Sequence, residues 1–188
     1  MNSTALLNLV VLTLSNPAEA ARRLLALRLG TDVLWLAFSL AVILNALVQS
    51  ASSFVLPLIS PDVQQLAEPL SRTLFVSVAA IMISVVTFLL VGRVLGGTGT
   101  FNDFMTLIVW LQILQIAGQA IILALVAALP FLFLPASLAM LGLSLYITLH
   151  FLNEAHRFKS LGKSFVVILI SGLVAVPFVL WLIPAGSV

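Results

Sequence analysis

The chain has 188 residues, of which 62% are hydrophobic and 7% charged, with mean hydropathy +1.27 and net charge +2. Eight basic and six acidic side chains cannot wet a soluble body of this size, in which about a quarter of residues are charged, so lipid is the solvent. The absence of cysteine excludes disulfides, thiolate metal sites and cysteine nucleophiles, and the pI of about 9.7 reads as membrane topology rather than a nucleic-acid footprint.

Residues 1–30 read as an N-terminal interfacial segment and 31–188 as a five-helix transmembrane domain. Met1–Leu14 is apolar without a basic start and reads as an uncleaved interfacial or re-entrant segment. A signal peptide is the alternative, with Ala18-Glu19-Ala20 as a poor cleavage site. In SNPAEAARRLLALRLG, Asn16 suits an N-cap and Pro17 the first helical position. Glu19 completes an N-x-x-E variant of the capping box, and Gly30 suits the C-terminal end. The arginines and leucines between them predict an amphipathic helix along the cytoplasmic interface.

Crossing ~30 Å of hydrocarbon takes about 20 mostly apolar residues. Five stretches qualify: Val33–Ala51, Thr73–Leu95, Phe101–Leu129, Leu132–Leu152 and Ser164–Ile183. In the first, Asn45 and Gln49 lie one turn apart and share a face with Ala41. The outer segment LPLISPDVQQLAEPLSR follows, where Ser60 suits the cap of a short helix begun by Pro61 and closed before Pro69. In the second span, Ser77, Ala80, Ser84 and Thr87 make a small, weakly polar face. The loop GGTGTFNDF comes next, where Gly96, Gly97 and Gly99 free the backbone and Thr100-x-x-Asp103 forms a capping box. With Asp103 on the positive end of that helix and no Lys-Ser/Thr of a P-loop, nucleotide binding is not expected.

In the third span, Gln112, Gln115 and Gln119 fall within roughly 60° of one another and form a stripe about 10 Å long. An amide facing lipid costs several kcal/mol, so the stripe is expected to pack against another protein surface. A hydrated or ligand-lined groove and an oligomer interface are the alternatives. Ala120, Ala124 and Ala128 form a small-xxx-small ridge on the same span. Leu129-Pro130-Phe131 is a tight turn at the membrane edge. In the fourth span, Ser144 and His150 stand about 240° apart around the helix, which separates them as a hydrolase pair. His150, Glu154 and His156 lack a third metal ligand on one face, and read as an interfacial cluster with Arg157 and Lys159.

No Asp, Glu, Lys or Arg lies in the middle of a span, which argues against a pump or coupled transporter. With the N-terminus inside, Arg22, Arg23, Arg28, Arg93, Arg157, Lys159 and Lys163 all fall on the cytoplasmic side. Only Arg72 falls outside, near Asp62 and Glu68, so the expected topology is N-in and C-out.

An NPAEAARRLL segment before the first span, GGTGTFNDFMTLI at the start of the third and EAHRFKSLGKSF before the fifth resemble the Yip family over nearly the whole chain. These are five-span membrane proteins named for interaction with Rab-type GTPases in eukaryotic vesicle traffic. The resemblance is closest at the glycine-rich loop with Phe101 and Asp103, and extends to the polar turn of Glu154, His156, Lys159 and Ser160. The long cytoplasmic N-terminal domain of eukaryotic members is not in this sequence, nor is their Tyr-Gly-Pro-type signature. The resemblance therefore implies the membrane fold and a cytoplasmic loop surface, as in the compact bacterial branch.

The resulting expectation is an all-α integral membrane bundle of five transmembrane helices with an N-terminal interfacial amphipathic helix, in a bacterial inner membrane. It is expected to be non-enzymatic, without cofactor or metal, and to organise membrane lipids and a membrane-protein partner or a second copy, with no nucleic acid. Asn45, Gln49, Gln112, Gln115 and Gln119 are the candidate packing or groove residues. Arg93, Gly96, Gly97, Asp103, Glu154, His156, Arg157 and Lys159 are the candidate cytoplasmic contact surface. The alternative is a small channel or uncoupled transporter with a glutamine-lined path.

Overall fold

The computed structural model describes residues 3–59 and 69–182, and among these every regular element is helical. In chain order they are α1 (Ser3–Ser15), α2 (Pro17–Ala26), α3 (Thr31–Ile59), α4 (Leu70–Val94), α5 (Phe101–Ala128), a 3-10 turn (Pro130–Leu132), α6 (Phe133–His156) and α7 (Leu161–Leu182). The five helices α3 to α7 are long and apolar enough to cross a membrane, as the hydropathy pattern predicts. The short helix expected after Ser60 lies outside the described residues.

Local chemistry accounts for where these helices begin and end. Thr100 Oγ1 accepts the Asp103 N–H at 3.3 Å and Asp103 Oδ2 accepts the Thr100 N–H at 2.9 Å, so the expected capping box starts α5. At α2 only half of the expected box forms. Asn16 Oδ1 accepts the Glu19 N–H at 3.2 Å, but the Glu19 carboxylate turns to Arg22 and Arg23, both at 3.0 Å. Two guanidiniums outcompete one backbone N–H for that carboxylate. Nor does Gly30 close α2. The left-handed residue after it is Arg28, at φ 43°, and the Gly30 carbonyl instead accepts the Leu34 N–H at the start of α3. At the end of α6, Arg157 takes φ 57° and the Phe158 N–H returns to the Asn153 carbonyl at 3.1 Å, a Schellman-type closure.

In the bundle, α3 lies chiefly on α5 and α4 on α7, while α6 packs on both α5 and α7. The short turn at Pro130 forces α5 and α6 into an antiparallel hairpin. Leu34, Phe38, Val42, Val85, Phe104, Leu107, Ile147, Phe151 and Val167 make the common core. Leu34 is 2% exposed, yet Leu36 and Leu173 are 73% and 75% exposed, the distribution expected where lipid covers the outside. Helix α2 has protein neighbours: Pro17, Ala20, Ala21 and Leu24 are buried as it packs on α6, α1 and α5. Helix α1 is pinned by the Trp110 indole N–H, which donates to Thr13 Oγ1 at 3.1 Å.

Candidate functional site

Two regions gather the polar residues that the sequence singles out: the row of amides along α5, and the end of the bundle where the loop 95–100 meets the end of α6.

The three glutamines share one face of α5, and that face meets α6. Gln115 Nε2 donates to Ser144 Oγ at 2.6 Å, tying α5 to α6. Gln112 is half-buried and Gln119 exposed, and among the described residues neither side chain has a hydrogen-bond partner. Instead they border two cavities that meet at Gln115. One, of about 210 Å³, is lined by Ser84, Phe104, Gln112, Thr148 and Phe151. The other, of about 400 Å³, is lined by Ser52, Gln119, Phe133, Ser137, Met140 and Ser144. At Gly118 an added Cβ would lie 2.6 Å from the Cε of Met140, the flexible tip of a side chain that lines the second cavity. The Ala120, Ala124 and Ala128 ridge is exposed, and among the described residues no helix covers it.

In α3, Asn45 Nδ2 donates to Ser77 Oγ of α4 at 2.9 Å with both residues buried, whereas Gln49, one turn on, is exposed. The weakly polar face of α4 therefore splits. Ser77 crosses to a neighbour, while Ser84 and Thr87 donate to the carbonyls of Ala80 and Ile83 on their own helix. Ser144 is paired with Gln115, and His150 packs edge-on against Tyr146 at 4.9 Å, so no serine–histidine pair forms between them. Among the described residues no three of His, Asp and Glu come together as a metal site.

His156 is the organising residue of the loop end, and it lies inside rather than on the surface. Its side chain is 1% exposed, against Phe104 at 4.6 Å and Phe158 at 4.8 Å between ring centroids. Nε2 sits 3.0 Å from the Phe88 carbonyl. A carbonyl only accepts, so Nε2 carries the proton and the buried Nδ1 is left without a partner among the described residues. The expected surface role fails for this side chain because three glycines make room for the ring. A Cβ at Gly92 or Gly97 would collide with it, and one at Gly99 would come within 2.6 Å of Phe104 Cε2 and 2.9 Å of the Ala155 carbonyl. Only Gly96 of the loop needs its backbone freedom, at φ 87°. The Thr98 N–H closes the loop on the His156 carbonyl at 3.2 Å.

Around this knot the other predicted residues take separate positions. Arg93, Gly96, Arg157 and Lys159 are exposed, with Arg93 Nη2 3.4 Å from the Gly99 carbonyl. Gly97 is partly covered, and Asp103 is engaged in its cap. Glu154 accepts from Arg22 at 3.0 Å, joining α6 to α2. Gly92, Phe88 and Arg22 belong to this end but carry no local signal: one reads as a span residue, one as core, one as part of a surface helix.

A family model for the Yip1 domain matches residues 11–183. No curated protein and no solved structure matches the chain.

Proposed function

This chain belongs to the Yip1 domain family, and from that premise we propose that it is a non-enzymatic organiser of lipids and membrane-protein partners. It is an integral membrane protein with five helices long and apolar enough to span the bilayer. The observation that carries the finer reading is the locked loop end. His156 and its glycines hold the loop 95–100 against α6, and outside that knot Arg93, Arg157 and Lys159 are presented to solvent. A rigid surface carrying unburied cations suits contact with an anionic partner or membrane surface. In this reading that end is cytoplasmic, the membrane is a bacterial inner membrane, and the exposed Ala120/Ala124/Ala128 ridge admits a second helix closely. No catalytic step is assigned to any residue.

The test is charge reversal at Arg157→Glu with Lys159→Glu, followed by cross-linking capture of membrane partners and by vesicle binding. The expected result is loss of both with the bundle still folded; unchanged capture and binding refute the proposal. A second reading, a small channel or uncoupled transporter, draws on the two cavities along the glutamine row. Cysteines placed at 112, 115 and 119 in this cysteine-free chain separate the two, since only a water-filled path gives rapid reaction with aqueous thiol reagents.

A further inference from the structure

Between α2, the first turn of α5 and the end of α6 lies a cleft of about 410 Å³, lined by Arg22, Leu25, Arg28, Asp103, Glu154 and Arg157. Its two carboxylates are already engaged. Asp103 Oδ2 takes the Thr100 N–H at 2.9 Å, and Glu154 Oε1 takes Arg22 Nη1 at 3.0 Å. Arg22 also serves Glu19. Among the described residues, the guanidiniums of Arg28 and Arg157 have no carboxylate or carbonyl partner. Both arginines stand on left-handed backbone, at φ 43° and 57°, where the chain leaves α2 and α6. That conformation is costly for a residue with a long side chain, and it brings two cations from distant parts of the sequence to one cleft.

We propose that this cleft binds the phosphodiester of an anionic glycerophospholipid headgroup, with Arg28 and Arg157 forking its oxygens. The assignment rests on the reading of this end as a lipid- and partner-facing surface. Guanidinium forks match phosphate oxygens in a plane, and two unpaired forks leave the cleft in need of an anion. The carboxylates that would draw the ammonium of a zwitterionic headgroup are taken, which favours a headgroup of net negative charge. Depth supports a lipid over a solute: the cleft opens where α5 begins and α6 ends, beside Leu27, which is 48% exposed.

Native mass spectrometry of the full chain in detergent, with short-chain phosphatidylglycerol or phosphatidylcholine added at equal concentration, tests the cleft. Phosphatidylglycerol is expected to be retained over phosphatidylcholine. The pair Arg28→Asn and Arg157→Asn, which suits left-handed backbone, is expected to lower that retention by about tenfold or more, as two charge-assisted contacts are lost. Lys163→Asn, at the same end but outside both the cleft and the proposed contact surface, leaves it unchanged. Should the asparagine pair melt early, Arg28→Lys with Arg157→Lys keeps the charge without the fork and is expected to give intermediate retention. Equal retention of both lipids, an unchanged asparagine pair, or an equal loss in Lys163→Asn overturns the assignment. Displacement of the lipid by equimolar inorganic phosphate assigns the site to free phosphate and overturns the lipid as its source. Partner capture by the Arg157/Lys159 reversal judges the broader proposal, so unchanged lipid retention with that capture still dependent on charge removes the cleft alone.

Discussion

Adding one methyl group at Gly92 puts a carbon where the His156 ring already is. The ring cannot slide aside, because it is 1% exposed and held between Phe104 and Phe158. It must leave its site, and the Phe88 carbonyl then loses its side-chain donor. Losing that hydrogen bond costs about 0.5–1.5 kcal/mol, and overpacking of this kind another 1–3. Alanine in a helix returns about 0.5–1 kcal/mol over glycine, so Gly92→Ala is expected to destabilise by about 0.5–4 kcal/mol. In a His156→Ala background the emptied volume accepts the methyl group, and the same substitution should lie within ~1 kcal/mol of neutral. The cycle is measured by unfolding in mixed micelles with rising dodecyl sulfate, followed by tryptophan fluorescence. Equal costs in the two backgrounds would mean that ring and methyl do not compete, and the account of the glycines would fail.

Two further outcomes follow from the contacts. Asn45→Leu and Gln115→Leu each remove one interhelical bond, and each is expected to cost about 0.6–2 kcal/mol, whereas Gln119→Leu, whose amide has no partner among the described residues, should be near neutral. The same micelle titration reads all three; a Gln119→Leu cost equal to that of Gln115→Leu contradicts the assignment. Helix α2 should loosen in acid. Arg23 first, then Arg22, hold the Glu19 carboxyl below its ordinary value of 4.5, so its contribution is present above that value and disappears as pH falls through the depressed one. Amide exchange in α2, corrected for intrinsic rates, should rise across that window and should not rise in Glu19→Gln.

Signals that close within one helical turn were legible in the chain. Thr100 and Asp103 need only each other, so their box could be read from four letters. Glu19 shows the limit of such reading: its spacing suited a box, but the arginines three and four residues later made a better offer to the same carboxylate. The glutamine stripe was legible as a direction, since periodicity fixes a shared face, but periodicity carries no information on what stands opposite. The face met α6 at Gln115 and cavities on either side of it. His156 was least legible. Beside Glu154, Arg157 and Lys159 it reads as a surface charge cluster, and the contact that buries it comes from Phe88, 68 residues away. The clue was the glycines of the loop at 97 and 99, which flexibility explains as readily as close approach.

Lipid changes which residues can specify a bundle. Leu34 and Leu36 are the same residue two positions apart, one buried in protein and one facing outward, and hydrocarbon gives little preference between them. Apolar pattern can therefore make these helices cross the bilayer without choosing their neighbours. The choice falls to the few contacts that lipid cannot imitate. Asn45–Ser77 joins α3 to α4, Gln115–Ser144 joins α5 to α6, His156–Phe88 joins α6 to α4, and Trp110–Thr13 joins α5 to α1. Each ties a different pair, so none is redundant. Such bonds are individually weak, about 0.6 kcal/mol on average, too little to hold a bundle together but enough to penalise a wrong register when several must be broken at once. The glycines at 92, 97 and 99 sharpen that choice further, because they leave a hollow shaped for one ring, and a register that brought α6 past by one turn would leave the hollow empty and the ring in the backbone.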